Sequence, residues 1–377
     1  MSRTSMQPLR RLRAVLILPL AVLLALVGPA GSAGAAKKAP HPELTVMTRN
    51  LYLGSSLAPA IEAKTLEELV GAVAEIYGTA VYTDFPTRAG AIAAEVAATS
   101  PDLIGLQEVS NWTAAATPLA PGAAPASFDF LAILLAALDD AGLSYSVAGV
   151  VDNALIGPLP LIAPDFGCRT ITATPGGPVP DCVVTFADRD VILVNDDTAG
   201  LNVGSARAGR YATQQVLNTP AGPLSFDRGW VAVNGRYQGK SFRFVNTHLE
   251  TEDFPAVQQA QAAEFLRGPA KGGQVIATGD FNSAADGSQT TSYAQLTAPA
   301  AFTDAWTVNS GDPGLTCCQN STLTNATSTL RSRIDLILTR GPIRPLSAEV
   351  VGDVPFQASP PLWASDHAGV VATVRIR

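Results

Sequence analysis

FRFVNTHL, residues 242–249, and VIATGDFN, residues 275–282, each begin as an alternating apolar run and end in polar side chains. Side chains two apart on a strand share a face. In the first run Phe242 and Phe244 are followed on their face by Asn246 and His248; in the second, Ile276 and Thr278 lead to Asp280, with Asn282 just beyond. Two earlier runs read alike. Leu44, Val46 and Thr48 lead to Asn50 in LTVMTRN, and Ile104 and Leu106 lead to Glu108 in DLIGLQE. Polar groups that stand in phase with core faces, each at or past a strand end, predict a shared rim where acids, amides and imidazoles converge.

Around these runs the chain alternates between two hydrophobic periods. LEELVGAVAEIYG, TRAGAIAAEVAA, FDFLAILLAALDDAG and AVQQAQAAEFLRG carry apolar residues three and four apart and predict helices; RDVILVN, GWVAVNG, RIDLILT and GVVATVRIR predict strands. GWVAVNGRYQGKSFRFVNTHL reads as a hairpin turning near Gly235–Gly239. Strands and helices interspersed without a repeat or a linker predict one α/β domain over residues 44–377. Thr113–Phe128 and Val151–Cys182 interrupt the pattern and are expected to be long proline-rich loops.

The rim has a definite chemistry. Carboxylate and amide oxygens suit a hard cation such as Mg²⁺ or Mn²⁺. A carboxylate beside a histidine fixes its tautomer and raises its basicity. Phosphoester hydrolysis uses both devices, a cation for the phosphoryl oxygens and a base for the water. The chain has three histidines, and one of them, His367, follows Asp366 directly before the last strand.

MTRNLY, LIGLQEV, FVNTHLE, ATGDFNS, SRIDLIL and SDHAGV occur in that order from Leu44 to the C-terminus. In this the chain resembles the endonuclease/exonuclease/phosphatase superfamily, the fold of deoxyribonuclease I, abasic-site endonucleases, neutral sphingomyelinases and inositol-polyphosphate 5-phosphatases. The resemblance implies a four-layer α/β sandwich, two packed mixed β-sheets flanked by helices. It implies Glu108 as main metal ligand with Asn50 beside it and Asp366 in support. It implies His248 on the phosphate oxygens, Asp280 and Asn282 orienting water and phosphate, and His367 as general base paired with Asp335. Simpler readings stand beside these. Asp280-Phe281-Asn282 fits an Asx-turn, Asp335 has Arg331 and Arg333 as nearby cations, and Asp190 and Arg189 read as strand-start residues. His41 reads as exposed linker.

Residues 1–35 read as a secretory signal peptide: four arginines without an acid, an apolar run, then small residues with Ala33-Gly34-Ala35 as cleavage box. Residues 36–43 read as a linker, and a secreted protein is expected. The chain carries 25 basic and 32 acidic residues, and without the leader's four arginines (25 − 4 = 21) the balance is near −11. That acidity argues against tight non-specific nucleic-acid binding. Of four cysteines, Cys168 and Cys182 bracket a Pro/Gly-rich stretch and are expected to pair, whereas Cys317 and Cys318 are assigned no pairing. The substrate classes in play are nucleic acid, phospholipid and inositol phosphate. The apolar Val151–Cys182 stretch is a candidate edge for transient membrane contact. No protein partner is indicated and a monomer is expected. The reading of another class is a catalytically silent secreted binding protein on the same fold.

Overall fold

The computed structural model describes residues 41–117, 125–171 and 179–377. The predicted leader, residues 1–35, lies outside the described residues. Two mixed sheets carry the fold. In the first, the strands run in the order Ile343–Val351, Gly369–Ile376, Glu43–Asn50, Leu103–Gln107, Cys182–Asn195, Asn111–Ala116 and Phe128–Asp129, and Tyr145–Leu161 pairs along Cys182–Asn195. In the second the order is Arg207–Arg210, Gly229–Tyr237, Lys240–His248, Val275–Asp280, Asp335–Arg340 and Thr303–Asp304, with Leu201–Val203 on Gly229–Tyr237. Glu43–Asn50 with Leu103–Gln107, and Lys240–His248 with Val275–Asp280, are parallel pairs.

The layers follow from which residues each face buries. Leu44, Val46, Leu103 and Val370 of the first sheet meet Val231, Phe244, Ile276 and Ile337 of the second in a core between the sheets. The other face of the first sheet, with Met47, Ile104 and Leu106, packs on the helices Leu66–Tyr82, Phe85–Thr99 and Phe130–Asp140. The outer face of the second sheet, with Val245, Val275 and Ala277, packs on the helix Pro255–Arg267 through Ala262 and Phe265. The result is the four-layer sandwich. Local signals place the helices: Thr65 and Glu68 form a capping box at the start of Leu66–Tyr82, and Leu69, Val73, Ile76 and Ala80 recur on its buried face.

The two sheets approach closely at Gly105. A Cβ there would overlap the Thr278 hydroxyl and the Asn246 carboxamide of the facing sheet. Asn246 joins the sheets: its Nδ2 donates to Leu106 O at 2.7 Å and Val191 O at 3.1 Å, and its Oδ1 accepts from Gln107 Nε2 at 2.6 Å. Asn246 is therefore a seam residue rather than part of the rim.

Several expectations are corrected. Val151–Leu161 is not loop but part of the strand Tyr145–Leu161, bulged at three places against Cys182–Asn195. Prolines are tolerated there because the strand's other edge has no partner among the described residues. Thr113–Ala116 likewise belongs to a strand. Asp190 and Arg189 lie within Cys182–Asn195, not at a strand start, and Asp190 is fully buried. His41 is half-buried. Cys168 and Cys182 are bonded with a Cα separation of 5.4 Å, as expected, and Cys317 and Cys318 bridge to each other.

Truncating Asn246 to Ala should remove its buried bonds to Leu106 O, Val191 O and Gln107 Nε2, each worth roughly 0.5–1.5 kcal/mol. We expect the urea unfolding midpoint to fall accordingly; an unchanged midpoint would show that the seam contributes nothing to stability.

Candidate active site

Strand register builds the first half of the site. His248 is paired with Asp280 across one strand boundary, and Asp280 with Asp335 across the next. His248 and Asp280 end inward-facing series and Asp335 begins one, so three functional side chains stand in a row on the inner face of the second sheet. The first sheet supplies the rest. Asn50 ends the inner face of Glu43–Asn50, and Asp366 and His367 precede Gly369–Ile376.

The row is closely bonded. His367 Nδ1 lies 2.8 Å from Asp335 Oδ2 and 3.8 Å from Asp280 Oδ2. His248 Nε2 lies 3.5 Å from Asp280 Oδ2 and 3.0 Å from Asn282 Nδ2. Asn50 Nδ2 donates to Asp280 Oδ2 at 3.2 Å, and Asp280 Oδ1 accepts the Asn282 backbone N–H at 2.9 Å. That last bond is the Asx-turn, so the turn and the site are one arrangement. Asp335 takes His367, while Arg333 pairs with Asp304 instead. Buried Arg49 donates to the His367 carbonyl and to Glu95, which fixes the histidine from its backbone side. Cys318 Sγ sits 3.8 Å from His367 Nε2.

Glu108 arrives by a different route. Ile104 and Leu106, whose face it was expected to share, point to the helix layer rather than the sheet interface. The strand ends at Gln107, and Glu108 adopts a left-handed conformation with φ 55°. That turn brings its carboxylate onto the cavity wall it shares with Asp366, where Oε2 accepts the Leu53 N–H at 2.7 Å. Asn282, with φ 49°, is also left-handed. Non-glycine residues held there cluster at functional sites because the surroundings must enforce them.

The electrostatics split the two imidazoles. Burial, then Arg228 and His367, push His248 well below the usual histidine range. Burial opposes charge on His367 as well, but Asp335, Asp366 and Asp280 outweigh it and hold this ring well above that range. Burial and neighbouring Asp335 push the Asp280 carboxyl up to about 8. Burial, with Glu108 adding to it, brings Asp366 up to about 7. Carboxylates crowded together in this way fit a divalent cation. Asn50, Glu108 and Asp366 offer oxygens only, which matches a hard ion.

Sequence reading missed a second polar group behind the rim. Arg228 is buried, lies 3.1 Å from His248 Nδ1 and pairs with Glu250 at 3.5 Å. Burial disfavours its charge, but Glu250, Asp188, Glu108 and Asp190 outweigh this and hold it protonated. Asn153 Nδ2 donates to buried Asp188 at 3.1 Å. The one available signal for Arg228 was its place directly before the strand that leads into the His248 hairpin.

The sequence profile of the endonuclease/exonuclease/phosphatase family matches residues 76–367, a span that holds every nominated site residue except Asn50. Comparison with curated proteins gives no match. Among solved structures, a protein of that family from Leptotrichia buccalis C-1013-b is 14% identical, with 88% of this chain and 100% of that chain covered and a TM-score of 0.53. One from Bacteroides thetaiotaomicron is 17% identical, with coverage of 89% and 96% and a TM-score of 0.52. D. rerio TDP2 complexed with single strand DNA product is 13% identical, with coverage of 88% and 99% and a TM-score of 0.50. At these identities the likeness is one of fold.

In metal-free protein at a pH of about 6.5, the ordinary histidine value, His248 should be neutral and His367 protonated. Imidazole ¹⁵N chemical shifts read this directly. Both rings titrating together near that pH would contradict the charge separation.

Proposed function

We propose that this chain, which belongs to the endonuclease/exonuclease/phosphatase family, is a secreted hydrolase of phosphodiester-type substrates in which His367 and Asp335 handle the proton of the attacking water. The family as a whole is one of metal-dependent phosphoester hydrolases. The observation that carries the reading is the 2.8 Å His367–Asp335 contact beside the His248–Asp280 pair. Fold alone would not support it.

Each residue's part follows from its bonds. Asp335 holds the proton on His367 Nδ1, so Nε2 is the nitrogen that exchanges a proton with water. Asp280 and Asn282 orient that water and the phosphate. His248, held neutral, contributes hydrogen bonding rather than charge, and the fixed positive charge beside it belongs to Arg228. The water oxygen forms a new bond to phosphorus as the ester P–O bond breaks. With the ring neutral, as a cation among the carboxylates would make it, the water proton passes to His367 Nε2, and the departing oxygen takes up a proton from solvent water to leave as the alcohol. A divalent cation held by Glu108, Asp366 and Asn50 would neutralise charge on the phosphoryl oxygens and within the carboxylate cluster.

The Cys168–Cys182 bond supports an oxidising destination and so the expected secretion. The DNA complex of D. rerio TDP2 supports nucleic acid as one candidate substrate.

Two measurements test the reading. Activity on a phosphodiester should vanish in EDTA and return with Mg²⁺ or Mn²⁺; full activity in EDTA would sink the metal assignment. His367→Ala should lower kcat by roughly a hundredfold or more, the usual worth of a positioned general base. Asp335→Asn should lower it in the same direction, with the thermal midpoint of both variants recorded alongside. Near-parental rates in both would rule out the pair.

A further inference from the structure

A cavity of about 740 Å³ opens beside the rim. This is within the size range of small-molecule sites, about 300–1,000 Å³. One end is polar and belongs to the site: Glu108, Asp366 and Arg228 line it. The remainder is apolar on three sides. Leu57 and Val73 come from the corner of the helices Ala58–Glu62 and Leu66–Tyr82, Ile156 and Leu159 from the strand Tyr145–Leu161, and Leu217 and Leu224 from the hairpin of Val216–Thr219 and Gly222–Ser225. The apolar stretch expected to form an exposed edge is therefore a cavity wall at Ile156 and Leu159. It shows Leu155 to solvent, 70% exposed.

Charge on the wall limits what enters. Among the described residues, Arg228 is the one basic residue lining the cavity, against Glu108, Glu250, Asp253 and Asp366. A nucleic-acid strand carries a phosphate at every step and relies on several cations; this wall suits one phosphate. Trp112, Phe186 and Phe226 contact in series, Trp112 tilted by 49° against Phe186 at 4.6 Å and Phe186 stacked on Phe226 at 6.0 Å, with the Arg228 guanidinium 4.9 Å over Phe226. These three rings are engaged with each other and with Arg228 rather than set apart as stacking platforms of the kind that hold bases. Ile61, Leu66, Leu155 and Val216, among the exposed large hydrophobics, ride on the same elements that wall the cavity.

We propose that the substrate is an amphiphilic phosphoester whose single phosphate sits at the Glu108–Asp366–Arg228 end and whose aliphatic chain fills the cavity. This rests on the hydrolase reading above and names its substrate class.

The test uses metal-loaded protein and 4-nitrophenyl phosphodiesters bearing ethyl, octyl or dodecyl groups, each below its critical micelle concentration. Burying a methylene is worth roughly a two- to fourfold gain, so kcat/KM should rise about a hundredfold or more from ethyl to octyl and level off once the cavity is full. Leu57→Trp and Leu217→Trp, both half-buried positions outside the catalytic set, should remove most of that gain. The ethyl ester rate should fall far less than the octyl rate, and an unchanged thermal midpoint certifies that the variants fold. The same esters in phosphatidylcholine vesicles separate sources: a Trp-sensitive gain with monomers identifies a free amphiphile, and one confined to vesicles a bilayer lipid. Cleavage of the ethyl ester with no effect of chain length, or equal effects in parent and Trp variants, overturns the inference and leaves the hydrolase reading standing. Displacement of cis-parinaric acid by dodecyl phosphate keeps the two apart in the other direction. If no ester is cut but displacement occurs in the parent and not in the Trp variants, the hydrolase reading fails and the cavity assignment holds. Neither cleavage nor displacement overturns both.

Discussion

The two sheets touch through a polar seam, and the distance across it sets everything at the rim. Gly105 has no side chain because Thr278 and Asn246 occupy the space a Cβ would need. Asn246 closes the gap with bonds to Leu106 O, Val191 O and Gln107 Nε2. Buried amide bonds are directional, unlike apolar contact, so the seam fixes the relative slide of the sheets as well as their spacing. The seam sits two residues before His248 and Asp280 on one sheet and close to Gln107 and Asn50 on the other. An error in register there would move each catalytic candidate away from its partner on the opposite sheet.

That constraint explains how two imidazoles a few ångströms from one carboxylate come to differ. Both contact Asp280, at 3.5 and 3.8 Å. His248 stands on the side of Arg228, which disfavours its charge, and His367 stands among Asp335, Asp366 and Asp280, which favour it. Environments that push neighbouring groups in opposite directions are how one site assigns different proton duties to like residues. The buried guanidinium is held charged by Glu250 first and then by Asp188, Glu108 and Asp190. Asp188 itself is brought up to about 7, by burial first and then by Glu108, so the rear of the site is a network of charges no single one of which is independent.

Much of this was legible in the sequence because strands report their faces. Asn50, His248 and Asp280 continue inward-facing apolar series, and the structure sets them where alternation said they would be. Asp335 begins such a series rather than ending one, and only order along the chain nominated it. Glu108 shows the limit. Alternation counted it with Ile104 and Leu106, which face the helices, and it reaches the cavity wall because φ turns positive at that residue. Left-handed non-glycine conformations are imposed by tertiary surroundings and leave no local mark. Arg228 and Asp188 were passed over for a related reason. Their meaning depends on a facing strand, Gly229–Tyr237 against Tyr145–Leu161 and Cys182–Asn195, which spacing in one segment does not reveal. The Val151–Leu161 stretch was misjudged because proline and glycine within it read as loop, whereas an edge strand with bulges accepts both.

Chemistry and selection occupy different kinds of structure in this fold. The row His248–Asp280–Asp335 belongs to adjacent strands locked by register and seam, where a shift of one residue would turn every side chain to the wrong face. The apolar walls come from a helix corner, an edge strand and a two-stranded hairpin, none of which takes part in the register that aligns that row. Changes in Leu57 or Leu217 therefore alter the volume offered to a chain without moving His367 or Asp280. The acidic wall acts in the same direction. With one buried cation facing four carboxylates among the described residues, each further phosphate brought into the cavity meets repulsion in a medium that screens poorly. A single charged head with an apolar body meets none of that repulsion beyond the first phosphate, and it gains from every wall residue it covers.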